Sequence, residues 1–292
     1  MVYLNRAPRA LESPRPESPR YQEKMIQPNE SMLLTRDDGG WLHYATAGEG
    51  DPVVFIHGFA LDSDMWDPQW PAFVQRHRVI RYDLRGYGNS SLPAGAYSHV
   101  DDLLALIDFL SARPVHLVGL SLGGRVALRV AAQAPEAVRS LTLADPALDG
   151  HTWTADWLQR WRKMTDAAKR GDLKLAKKLW REHLLFEPAN KDPQVADALR
   201  VMIDRYSGWH RRHPDPGTAP APPVAEALPS ISIPTLVVVG ELDLPDFQTI
   251  ARRLAQELPH AGLRTLAGTG HMSNMEAPRV FNELVLEFLQ RF

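Results

Sequence analysis

Val115-His-Leu-Val-Gly119-Leu-Ser121-Leu-Gly123-Gly124-Arg-Val-Ala-Leu-Arg-Val130 decides how the chain is read. An apolar run of strand length ends at Gly119, and a helical pattern begins after Ser121. Between them stands Gly-x-Ser-x-Gly, which in a strand–turn–helix setting lifts a serine onto a sharp, strained corner. Side chains two residues to either side would clash there, which is why Gly119 and Gly123 suit the turn. The corner would hold the Ser121 hydroxyl clear of the sheet, at the positive end of the following helix. An ordinary tight turn is the competing reading, so the rest of the chain has to decide.

Working outward, Pro52-Val-Val-Phe-Ile-His57 and Arg78–Tyr82 read as strands before the serine, and Val138–Ala144, Pro234–Val239 and Leu263–Leu266 as strands after it. The short, continuously apolar runs suit strands buried on both faces of a parallel sheet. Met32–Thr35 and Trp41–Thr46, joined by Asp37-Asp38-Gly39-Gly40, suggest an opening hairpin. Helical spacing marks Asp64–Gln75, Tyr97–Leu110, the stretch from Ser121 to about Ala134, Asp246–Leu258 and Arg279–Leu289. Strands alternating with helices of this length imply an α/β fold, a mostly parallel sheet flanked by helices. Residues 146–229 break the rhythm. Trp153–Lys169, Asp172–Phe186 and Pro193–Tyr206 read as helices rich in Trp, Lys and Arg, and a Pro-rich return follows. They are expected to form an inserted helical cap on a core of residues 29–145 and 230–292. Residues 1–28 alternate Pro, Arg, Ser and Glu and read as a disordered leader, a basic interaction tail being the other reading.

The 292 residues, 44% hydrophobic, suffice for a sizeable core. A net charge of −2 gives no pull towards nucleic acid or an anionic membrane. The absence of cysteine excludes disulfides, thiolate catalysis and Cys-ligated metals. No apolar run reaches the length of a membrane-spanning helix, and the N-terminus lacks the apolar centre of a secretory signal. A cytoplasmic location is expected. Phosphate-loop, dinucleotide and His-Glu-x-x-His motifs are missing, and nothing calls for a metal or an organic cofactor.

A serine needs a base, and the base needs a group to orient it. His271 lies in Gly268-Thr-Gly270-His271-Met, just after the last strand, and Asp243 in Gly240-Glu-Leu-Asp243, just after the strand before it. Loops beyond the carboxyl ends of parallel strands converge on one crevice. Ser121, Asp243 and His271 all occupy such loops. Asp145, after the strand that follows the serine helix, is a second candidate acid, while Asp246 reads as a helix N-cap. Two N–H groups are expected to bind the oxyanion, Leu122 after the serine and Phe59 in the His57-Gly58-Phe59-Ala60 loop. His57 itself is expected to hold its loop. Asp83, Arg85 and Ser90 would fix their own turn. Trp153, Trp157, Trp161, Trp180, Phe186, Tyr206 and Trp209 read mainly as packing, with one or two lining an acyl pocket. Arg160, Arg162 and Lys163 would meet an anionic substrate or simply face solvent.

Taken together, His57-Gly58-Phe59, Asp83-Leu-Arg85-Gly86-Tyr-Gly88-Asn-Ser90, Gly119-Leu-Ser121-Leu-Gly123-Gly124, Gly240-Glu-Leu-Asp243 and Gly270-His271 resemble the α/β-hydrolase fold superfamily over residues 32–292. The chain looks most like its capped branch of carboxylesterases, enol-lactonases, C–C hydrolases and cofactor-free perhydrolases. The resemblance implies an eight-stranded sheet with a cap after the sixth strand, and it supports Asp243 as the acid. Ser121 argues against haloalkane dehalogenases and epoxide hydrolases, which carry Asp there. The expected chemistry is hydrolysis of a small carboxylic ester or lactone through an acyl-enzyme. The rivals are C–C bond hydrolysis of a ring-cleavage product, perhydrolysis, and a small-molecule binding protein that keeps the scaffold. Fold alone does not choose among them.

Overall fold

The computed structural model describes residues 32–213 and 222–292. The leader expected at residues 1–28 therefore lies outside the described residues, as does most of the Pro-rich return. Eight strands form one sheet: β1 (Met32–Thr35), β2 (Trp41–Ala47), β3 (Pro52–Ile56), β4 (Arg78–Tyr82), β5 (Val115–Leu120), β6 (Val138–Ala144), β7 (Thr235–Gly240) and β8 (Ala261–Leu266), in the spatial order β1-β2-β4-β3-β5-β6-β7-β8. The hairpin strands β1 and β2 run antiparallel to each other, and β2 runs antiparallel to β4. All other neighbours are parallel.

Every residue of β5 and β7 is buried, as their unbroken apolar runs required of central strands covered on both faces. Full burial of side chains such as Phe55, Ile56, Leu117 and Val118 contributes roughly 1.5–3 kcal/mol each. Register then places the site. Ile56 pairs with Gly119, Leu120 with Ala144, and Gly240 with Leu266, so β3, β5, β6, β7 and β8 end along one edge. The loops that follow leave from that edge together.

The helices are α1 (Trp70–Phe73), α2 (His99–Phe109), α3 (Leu122–Gln133), α4 (Ala155–Lys169), α5 (Leu173–Arg181), α6 (Pro193–Arg205), α7 (Trp209–Arg212), α8 (Pro245–Glu257), α9 (Ser273–Glu276) and α10 (Pro278–Leu289). Side-chain caps set several starts. Ser98 accepts from the Asp101 N–H, Thr154 from Trp157, Asp172 from Leu175, and Asp192 from Gln194. Two expected helices are corrected. Asp64–Gln75 is a 3-10 turn at Ser63–Trp66 followed by the four-residue α1, because Pro71 starts a helix more readily than it continues one. Asp172–Phe186 ends at Arg181, and Leu184–Phe186 is a separate 3-10 turn capped by His183. Among the described residues, no helix is long and apolar enough to cross a membrane.

Candidate active site

Ser121 sits between β5 and α3 with φ 54° and ψ −110°, a strained conformation for a residue with a Cβ. The corner is closed by hydrogen bonds from its own N–H to the Ala144 carbonyl (2.9 Å) and from the Arg125 N–H to its carbonyl (3.0 Å). A Cβ at Gly119 would stand 2.4 Å from the Gly123 backbone, so the elbow closes only over glycine. Ser121 opens onto a cavity of about 390 Å³ that His271, Phe59 and Leu122 also line. Among the described residues the N–H groups of Phe59 and Leu122 donate no hydrogen bond within the protein, as the start of α3 requires of Leu122.

His271 Nδ1 pairs with Asp243 Oδ2 at 2.9 Å, both residues buried. Asp243 Oδ1 accepts from the Leu244 N–H at 2.7 Å. The other ring nitrogen, His271 Nε2, is buried without a hydrogen-bond partner among the described residues. Burial pushes the imidazole down to about 4, against the opposing charges of Asp145 and Glu276, so the ring is neutral near pH 7. With Asp243 accepting from Nδ1–H, the lone pair lies on Nε2, as a base requires. The loop is gripped by Glu276, whose carboxylate accepts from the Gly270 N–H (2.7 Å) and the Met272 N–H (3.0 Å), one residue to either side of His271. The sequence reading passed over Glu276. Its signal was only a carboxylate six residues beyond Gly270.

Asp145 lies behind the pair. Its Oδ1 accepts from the Gly240 N–H (2.7 Å), and its Oδ2 accepts from the Ser273 hydroxyl (2.5 Å). Burial pushes both Asp145 and Asp243 up, and the neighbouring Asp243 charge raises Asp145 further. Two carboxyls so close disfavour each other's ionisation, and Asp243 is the one that faces the imidazole. Donor atoms of Asp145, Asp243 and His271 lie within 4.8 Å of one another. These carboxylate oxygens already accept from protein N–H and O–H groups, an arrangement suited to holding a histidine.

His57 Nε2 accepts from the Leu84 N–H at 2.9 Å, and its Nδ1 donates to the Gly58 carbonyl at 2.8 Å, so the ring braces the Phe59 loop. Asp83 accepts from the N–H groups of Ser63 and Asn89 and pairs with His43. Burial pushes it up, but these contacts and His57 outweigh burial and hold it at about 2. Arg85 forms a two-pronged pair with Asp102, and the Ser90 hydroxyl donates to the Asp83 carbonyl. All three side chains serve their turn.

The segment between β6 and β7 supplies the cavity's aromatic wall. Trp153, Trp157, Trp161, Trp180 and Phe186 all line it, more than the one or two expected. Trp153, just before α4, stacks on Trp157 and Trp157 on Trp161, with ring centres 4.8 and 5.8 Å apart. Tyr206 packs behind, on Phe59 and Tyr87, while Trp209 stacks on His213. Asp246 is not an N-cap, a correction to the sequence reading. It lies inside α8 and accepts from the Thr154 hydroxyl (2.6 Å), the Thr154 N–H and His151, tying the start of α4 to α8. Arg162 and Lys163 are exposed, Arg160 pairs with Asp156, and none of the three lines the cavity. Arg125, His99 and His210 line it instead. Of these, only Arg125 had a signal in the sequence, its place one helical turn beyond Ser121.

Comparison with known proteins defines the class. Residues 53–284 match the model of the Alpha/beta hydrolase family, and the chain belongs to that family. It is a hydrolase, as the relatives indicate. A putative 2-succinyl-6-hydroxy-2,4-cyclohexadiene-1-carboxylate synthase of Bacillus subtilis is 29% identical, the match covering 89% of this chain and 98% of that one. The 3-oxoadipate enol-lactonase 2 of Acinetobacter baylyi is also 29% identical, over 86% and 94% of the two chains. The structure of a thermophilic esterase from Thermogutta terrifontis superposes with a TM-score of 0.78 at 27% identity, covering 90% of this chain and 98% of that one.

Proposed function

We propose that this hydrolase cleaves a small carboxylic ester or lactone, with Ser121 as nucleophile, His271 as general base and Asp243 as the orienting acid. The observation that carries the reading is the 2.9 Å His271–Asp243 pair, whose free Nε2 belongs to a residue lining the same cavity as Ser121. His271 takes the Ser121 proton as the oxygen attacks the carbonyl carbon. The Phe59 and Leu122 N–H groups bind the oxyanion. His271 then returns the proton to the leaving alcohol, and a water activated in the same way releases the acid and restores the serine. In this reading residues 146–229 act as a cap on a core of residues 29–145 and 230–292. The enol-lactonase and esterase relatives support ester or lactone cleavage.

The test is hydrolysis of short nitrophenyl esters and lactones by the wild type and Ser121→Ala, with fluorophosphonate labelling of both. A loss of about 10³-fold or more in kcat, with labelling confined to the wild type, is expected. Near-normal turnover by Ser121→Ala would overturn the assignment.

A further inference from the structure

Arg125 stands one helical turn beyond Ser121 on α3 and lines the same cavity. Helical side chains lean towards the N-terminus of their helix, so Arg125 covers the turn that begins at Ser121. Its charge is only partly matched. Asp149 lies 3.6 Å away, but Asp149 is also the partner of Arg129, so two guanidiniums share one carboxylate. Arg125 Nε is buried with no hydrogen-bond partner among the described residues.

A second, independent observation lies behind the aromatic wall. Arg211 on α7 is 4% exposed and pairs with no carboxylate among the described residues. Its guanidinium carbon sits 4.2 Å from the Trp161 ring centre, 4.9 Å from Phe59 and 5.2 Å from Trp180, three rings that also line the cavity. Among the described residues its guanidinium makes one hydrogen bond, a 3.5 Å contact from Nη1 to the Thr165 hydroxyl, and Nη2 has no partner. Burial lowers it only to about 10, so it remains a cation at neutral pH. An unpaired buried charge costs several kcal/mol. It is tolerable where an anion arrives nearby and where ring faces offer their negative side. The cavity lining agrees in sign. Among the described residues it holds the Arg125 cation and no Asp or Glu.

We propose that the substrate carries a carboxylate, held by Arg125 and favoured by the unpaired Arg211 behind the aromatic wall, while Ser121 meets the scissile carbonyl. The proposal rests on the reading of Ser121 as nucleophile and narrows its substrate class. One helical turn rises about 5.4 Å, which suits a carboxylate and a carbonyl joined by a short methylene chain, as in a glutarate monoester.

The experiment compares kcat/KM at low ionic strength for 4-nitrophenyl butyrate and mono-(4-nitrophenyl) glutarate. The wild type is expected to favour the charged ester by about tenfold or more, the worth of a charge-assisted hydrogen bond. Arg125→Gln should collapse that ratio through the KM of the charged ester, and Arg211→Met should lower it by a smaller factor. A wild-type ratio at or below one, or a ratio unchanged in Arg125→Gln, overturns the proposal. Should Arg125→Gln fail to fold, the wild type decides alone. Glutarate, and not neutral glutaramide, should compete with the butyrate ester, and equal effects of the two overturn the proposal. Glutarate binding to Ser121→Ala by calorimetry separates the two readings, since anion binding does not need the nucleophile. Retained turnover in Ser121→Ala sinks the nucleophile, whereas Ser121-dependent turnover without anion preference sinks only the anion site.

Discussion

Gly123, in the first turn of α3, lies so close to the end of β3 that a Cβ there would stand 2.0 Å from the Ile56 carbonyl oxygen. The contact is backbone on backbone, so no side-chain movement relieves it. It also fixes the distance between the Phe59 loop, which begins at the end of β3, and the Leu122 N–H. Gly123→Ala must push α3 away from the sheet, and a loss of about 3 kcal/mol in unfolding free energy is expected. Urea denaturation measures it. Activity should fall by more than the folded fraction, because the two N–H groups separate. A variant within about 0.5 kcal/mol of the wild type with full turnover would show that the approach is not rigid.

Asp243 and Asp145 are both buried beside His271 and differ in what an amide would do in their place. Asp243→Asn removes the acceptor that fixes Nδ1–H, and a fall in kcat of roughly 10³–10⁴ is expected. Asp145 accepts from the Gly240 N–H and the Ser273 hydroxyl and not from His271, so Asp145→Asn, a group of similar shape, leaves Nδ1–H held and should lose less than about tenfold. Steady-state kinetics on one ester settles the ranking, and a larger loss at Asp145 would exchange the two roles.

The pH dependence follows from His271, held by burial at about 4. A protonated ring cannot take the Ser121 proton, so kcat/KM should stay level from pH 8 to below 6 and fall only towards 4. An acid limb centred at 6.5 or above would mean that Asp243 outweighs burial. Stability should move the same way. His116 and His183 are also lowered to about 4, by burial first and neighbouring cationic groups second. The unfolded chain takes up these protons through about 6.5, and the folded chain only near 4. Folding free energy is therefore lost as pH falls across that window, by about 2 kcal/mol per histidine at pH 5. Denaturant midpoints measured from pH 7 to 5 check the direction.

The residues legible in the sequence were those whose reason is local. Gly119-x-Ser121-x-Gly123 needs only the sterics of one corner, and the apolar runs of β3, β5 and β7 need only the period of a buried strand. His271 and Asp243 were legible because parallel strands deliver the loops at their carboxyl ends to one crevice. Local rules failed where a distant partner took the group. Asp246 had the position of a cap, but Thr154 and His151 of the segment after β6 claimed its oxygens. The apolar spacing of Asp64–Gln75 suggested one helix, and Pro71 instead began a separate short one within it.

The sequence by itself determined an α/β sheet bearing a serine, a histidine and an acid at strand ends, because backbone sterics and periodicity are properties of neighbours in the chain. Only the tertiary structure decided which residues surround the serine. It set Glu276 on both sides of His271, placed Arg125 in the lining of the cavity, and left Arg160, Arg162 and Lys163 outside it. Burial did the rest. A side chain's charge state and its share of a cavity depend on what packs against it, and helices distant in the chain supply that packing.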